Sequence, residues 1–176
     1  MKKPIVVRTL LTLGFASILL FAGCLMSKVT LIDPAAAKVN LAFVGNWDNP
    51  EKFDSTGREA GLVIRNIDSK LYYVEWKSTG DKSDVTRGVG FTTEVGGATF
   101  AQLRGLEEDG KIEDQWLICR LDLAGNKLTI RQLSEDFFKS RTVDTAPSLR
   151  QVLEQNLNNP AMYDSSADVT VTKKAG

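Results

Sequence analysis

Histidine is absent from this chain of 176 residues, and cysteine occurs only twice, at Cys24 and Cys119. Without His there is no Ser/His/Asp or Cys/His nucleophile pair, no His-bearing metal cluster and no side chain whose ordinary pKa lies near neutrality. Neither sign of charge is in excess, 22 Lys and Arg standing against 22 Asp and Glu. With no surplus of clustered cations to neutralise phosphates, no nucleic-acid partner is expected. The acids at Glu107, Glu108, Asp109, Glu113 and Asp114 miss calcium-loop spacing, because Gly110 comes too early, directly after the first three. Asp48 and Asp54 read as loop carboxylates, not an acid and base pair. Gly88-Val89-Gly90 and Gly96-Gly97 complete neither a P-loop nor a dinucleotide fingerprint and read as turns or bulges. The expectation is a protein that is not an enzyme and has no metal and no cofactor.

What is present at the amino terminus is an address. Lys2, Lys3 and Arg8 precede an apolar run from Thr9 to Ala22, about 14 residues, which suits a secretory h-region (~7–15) better than a spanning helix (~20). The run ends in Leu20-Phe21-Ala22-Gly23-Cys24, which resembles a bacterial lipobox, with Phe21 where that pattern most often has leucine. The resemblance implies that residues 1–23 are a lipoprotein signal peptide and that Cys24 becomes the first mature residue, with palmitate-type acyl chains on its sulfur and amino group. Two or more chains give stable anchoring, at about 0.8 kcal/mol per buried CH₂. Leu25, in place of an aspartate, points by the same analogy to the periplasmic face of the outer membrane. Loss of the leader leaves 19 bases against 22 acids. With Cys24 committed to lipid, no disulfide is expected, and residues 24–40 read as a lipidated tether that holds a mobile body off the bilayer.

Residues 41–176 read as a single β-rich domain, organised around Gln115–Leu133. There Leu117, Cys119, Leu121 and Leu123 alternate before Gly125-Asn126, and Leu128 and Ile130 alternate after it. A two-residue turn sets Leu123 opposite Leu128 and Leu121 opposite Ile130, with Cys119 as a small core residue. A second hairpin joins Leu62–Ile64 to Leu71–Trp76 through Asp68-Ser69-Lys70, and a third joins Val85–Glu94 to Ala98–Leu103 through Gly96-Gly97. After Leu133 the period changes. Ser134–Arg141 has a capping serine, acids first and bases last, and Pro147–Leu157 places Leu149, Val152, Leu153 and Leu157 on one helical stripe. Val169 and Val171 mark a closing strand. The fold class is mainly β: an antiparallel meander forming a barrel or sandwich, with a C-terminal amphipathic helix.

Gly45-Asn46-Trp47 at the start of this meander resembles the Gly-x-Trp that opens the first strand of lipocalins and their calycin relatives. The resemblance implies a lipocalin-like barrel in which Trp47 packs at the closed end beneath a late arginine, Arg131 first, with Arg120 and Arg104 as alternatives. A loop read from Asp48 to Gly57, directly after Trp47, departs from that pattern. Tyr72, Tyr73, Trp76 and Phe91 are candidates for an apolar pocket or for the core itself, with Tyr72, Val74 and Trp76 sharing one face and Tyr73 and Glu75 the other. The functional expectation is an envelope lipoprotein that binds or scaffolds another envelope component. The alternative is a carrier of a small apolar ligand.

Overall fold

The computed structural model describes residues 25–49, 60–78 and 84–175. The leader, Cys24 and Asp54 lie outside the described residues. After a two-residue strand β1 (Met26–Ser27), the chain runs through β2 (Gly45–Asn49), β3 (Ala60–Asn66), β4 (Tyr72–Ser78), β5 (Asp84–Val95), β6 (Ala98–Leu106), β7 (Trp116–Ala124), β8 (Lys127–Gln132) and β9 (Val169–Lys173). Each strand from β2 to β9 pairs antiparallel with its neighbour in sequence, and β9 also pairs with β2. Eight strands therefore close into a barrel, which settles the choice between barrel and sandwich and leaves those strands without a free edge. β1 lies against the first residues of β7, beyond the end of β8, with Met26 opposite Leu117 and Ser27 opposite Trp116.

The registers follow from side-chain alternation and turn chemistry. Leu123 faces Leu128 and Leu121 faces Ile130 across a turn in which Gly125 takes φ 61°. The loop expected directly after Trp47 begins later, because β2 continues to Asn49, where it pairs with Ala60. Gly88 and Gly90 are neither turn nor bulge residues but lie inside β5. An ideal Cβ on Gly90 would stand 2.1 Å from the Gln102 carbonyl oxygen and one on Gly88 2.8 Å from that of Arg104, so β6 approaches closer than any side chain permits.

Two cores result. One lies inside the barrel and includes Trp47, Leu62, Ile64, Tyr72, Cys119, Leu121, Leu128 and Val171. The other lies on the outer face of β5 to β7, where Phe91, Val95, Phe100, Trp116 and Ile118 are covered by helices α1 (Glu135–Lys139) and α2 (Ala146–Asn156) and by the amino-terminal segment. Ser134 caps α1 by accepting from the Phe137 N–H, and Thr145 and Ser148 form a capping box on α2. Leu149 and Leu153 on the inner stripe of α2 are fully buried.

Residues 25–40 correct an expectation. They are no loose tether: Leu25, Leu31 and Ala37 are buried in the outer core. The Leu25 N–H donates to the Leu133 carbonyl (3.2 Å), and the Ile118 N–H donates to that of Leu25 (3.1 Å). Burying a leucine contributes about 1.5–3 kcal/mol, so Leu25 and Leu31 both favour the docked position of the segment.

Candidate functional site

The barrel is plugged at the end from which β2 and β4 start. A short 3₁₀ turn at Leu41–Phe43 crosses it, with Phe43 buried in the inner core. The Tyr72 hydroxyl donates to the Asn40 carbonyl (3.1 Å) and accepts from the Asn40 N–H (2.5 Å). Trp47 Nε1 donates to the Phe43 carbonyl at 3.0 Å. Lys173 Nζ, from the last strand, donates to the Ala42 carbonyl at 3.0 Å and lies 5.2 Å from the centre of the Trp47 ring. The cation over Trp47 is thus a lysine.

None of the three arginines considered from the sequence lies there. On β8 the inward positions belong to Leu128 and Ile130, so Arg131 projects from the outer wall, its guanidinium 3.9 Å from the Tyr163 ring and its Nε 3.4 Å from Asp168 Oδ2. Arg120, opposite it on β7, donates to the Tyr163 hydroxyl (3.0 Å) and the Leu157 carbonyl (3.1 Å), while Arg104 stacks at 4.1 Å on Trp116. Two arginines therefore clamp Tyr163 and fasten the helical segment to the wall.

Among the described residues, the inner wall stays apolar from the middle of the barrel to the end opposite the plug. Val74 and Trp76 on β4, Leu103 on β6, Ile130 on β8 and Val169 on β9 pack against the inner core yet remain only partly buried. Inward apolar side chains that remain partly exposed line the wall on which an eight-stranded barrel can hold one small ligand. At the same end, Glu113 folds back over Gly105, where an ideal Cβ would lie 2.6 Å from the Glu113 carboxyl carbon.

The sequence candidates divide between the two sides of the wall. Trp47, Tyr72 and Trp76 are inside: Trp47 and Tyr72 belong to the plugged end, and Trp76 to the accessible part. Tyr73 is on the outer face, where its hydroxyl donates to Glu75 Oε2 (3.0 Å), and its pKa is pushed up, first by burial and then by Glu75. Glu75 is held below the usual carboxylate range, chiefly by its hydrogen bond from Lys77, with which it forms a 3.0 Å ion pair. Phe91 is also outside, fully buried in the second core and edge-on to Trp116 with ring centres 5.2 Å apart. Its neighbour Gly90 pairs with the inward Tyr72, so Phe91 takes the opposite face. Cys119 is buried in the inner core. Asp48 pairs with Lys174 at 2.8 Å and Asp109 with Lys111 at 2.6 Å. Among the described residues no group of three or more His, Cys, Asp or Glu side chains is placed to hold a metal ion.

Lys173 and Gln102 were missed from the sequence. Lys173 continues the alternation of Val169 and Val171 and so shared their inward face from the start. Gln102 follows Phe100 at strand spacing on the outer face of β6, but a polar residue gives no sign of burial until its cover is known. Comparison with protein-family models, curated proteins and solved structures finds no match for the chain.

Proposed function

We propose that the protein is a non-enzymatic binder of a small apolar molecule, held on the bacterial envelope by lipid on Cys24. The observation that carries the binding reading is the inner wall of Val74, Trp76, Leu103, Ile130 and Val169, apolar, inward and partly accessible above a plugged floor. Scaffolding of an envelope component ranks second. Among the described residues, the large exposed apolar side chains Met26, Leu41, Ile67 and Ile112 come from four separate segments, and single exposed apolar residues are ordinary on any surface. The anchor rests on Leu20–Cys24, and residence on the periplasmic face of the outer membrane rests on Leu25 following that cysteine.

Titration with an uncharged fluorescent probe such as N-phenyl-1-naphthylamine tests the binding. Saturable one-to-one enhancement, weakened by Leu103→Trp in a variant that melts like the parent, supports the carrier. Absence of saturable binding to the folded protein sinks it and leaves scaffolding as the better account. Intact mass of membrane-extracted protein tests the anchor: acyl mass on a chain beginning at Cys24, lost together with membrane association in Cys24→Ala, is the expected result. An unmodified chain in the soluble fraction removes the anchor from the account.

A further inference from the structure

A lipidated cysteine usually leads into a flexible stretch, whereas here the residue after it is packed against the outside of the barrel wall. Leu25 is buried and hydrogen-bonded to both β7 and the residue after β8, so Cys24 lies one peptide step, about 3.8 Å between Cα atoms, from a rigid surface. The headgroup layer on each side of a bilayer is about 5–8 Å thick, as the difference between the full and the hydrocarbon thickness. A body tied at so short a range has no means of standing off. The surface around Leu25 must share that layer with the lipid headgroups.

That surface is suited to them. Between β1 and the connection from α1 to α2 lies a cleft of about 330 Å³. Its lining includes the apolar Leu25, Val143 and Leu149 beneath Lys28 and Arg141, with Asp144 as the one carboxylate. Arg141 is held in place, its guanidinium 3.5 Å from the Phe137 ring and hydrogen-bonded to the Phe137 carbonyl. Lys28 and Arg141 are exposed, and cations near an anionic surface are each worth about 1 kcal/mol. Met26, beside the cleft, exposes an apolar side chain in the same region.

Position along the barrel gives the surface a function. β1 runs beside Trp116 and Leu117, the first residues of β7, and β7 starts at the end opposite the plug formed by Asn40–Phe43. We propose that this flank is seated on phospholipid headgroups, so that the end of the barrel opposite the plug lies at the bilayer surface and an apolar molecule can pass between membrane and barrel without crossing bulk water. The proposal rests on the lipid-anchor reading and goes beyond it by fixing which face meets the membrane.

The test uses full-length protein extracted with its lipid and reconstituted in vesicles of phosphatidylethanolamine and phosphatidylglycerol carrying a headgroup nitroxide. Thr142→Cys at the cleft and Asn126→Cys at the plugged end each receive a bimane label, Cys119 being buried. Quenching several-fold stronger at position 142 than at position 126 is the expected result. Equal quenching at the two sites on vesicle-bound protein overturns the seating while leaving the anchor intact. Extracted protein with unmodified mass that does not associate with vesicles overturns both.

Discussion

Gln102 and Leu31, 71 residues apart in the chain, meet in a buried hydrogen bond of 2.6 Å from the Leu31 N–H to Gln102 Oε1. This bond fastens the amino-terminal segment to the outer wall of β6. Gln102 is 0% exposed, and its Nε2 has no hydrogen-bond partner among the described residues, so the bond accepted from Leu31 is what its buried amide contributes. Gln102→Met keeps the volume and strands a buried N–H, which costs about 1–3 kcal/mol. The free energy of urea unfolding should fall by that amount, lowering the midpoint, with faster hydrogen exchange at the Leu31 amide. An unchanged midpoint and unchanged exchange would mean that the segment is held by its leucines alone.

The two cation–aromatic pairs separate the roles of Lys173 and Arg131. A double-mutant cycle between Arg131→Ala and Tyr163→Leu should give a coupling of about 0.5–1 kcal/mol, and the cycle between Lys173→Met and Trp47→Leu a similar value. The cycle between Arg131→Ala and Trp47→Leu should give none, since these residues lie on opposite sides of the wall. Substantial coupling between Arg131 and Trp47 in chemical denaturation would restore the arginine to the closed end.

Stability should be flat across neutral pH and fall in acid. Asp68 accepts from the backbone N–H groups of Lys70 (2.7 Å) and Leu71 (2.8 Å), which hold its carboxyl below the usual range. Lys77 does the same to Glu75, Lys111 to Asp109 and Lys139 to Asp136. Each carboxyl has a lower pKa folded than unfolded, so its contribution is fully present above the ordinary carboxylate range and is lost as pH falls through the depressed folded value. With no histidine, no side chain of ordinary pKa titrates near neutrality. Urea midpoints should therefore hold level from about pH 5 to 8 and decline below about pH 4, less steeply in Asp68→Asn. A step near pH 6 to 7 would contradict this.

The inner half of the fold was legible in the sequence and the outer half was not. Leu121 and Ile130, or Tyr72 and Trp76, alternate with polar neighbours, and a hairpin turn converts that alternation into register. Trp116, Ile118, Phe91 and Phe100 are apolar on the other face of the same strands, so β5 to β7 are buried on both sides. Such a wall announces a cover without saying which segment supplies it. The amphipathic stripe of α2 declared itself through helical spacing, but Leu25 and Leu31 have no period, and the segment that carries them read as a tether. The cation over Trp47 was sought among arginines, although strand parity alone excluded Arg131, because Leu128 and Ile130 already face inward. The accessible part of the inner wall depends on how far eight strands stand apart, which no local pattern in the sequence encodes.

The central claim is that an apolar ligand occupies the barrel, and methyl NMR during titration with N-phenyl-1-naphthylamine tests it most directly. The predicted result is saturable shifts confined to the methyl groups of Val74, Leu103, Ile130 and Val169, with Leu149 and Leu153 of the outer core unmoved. Shifts confined to exposed residues such as Ile67 and Ile112, or no saturable shift at all, would contradict the claim.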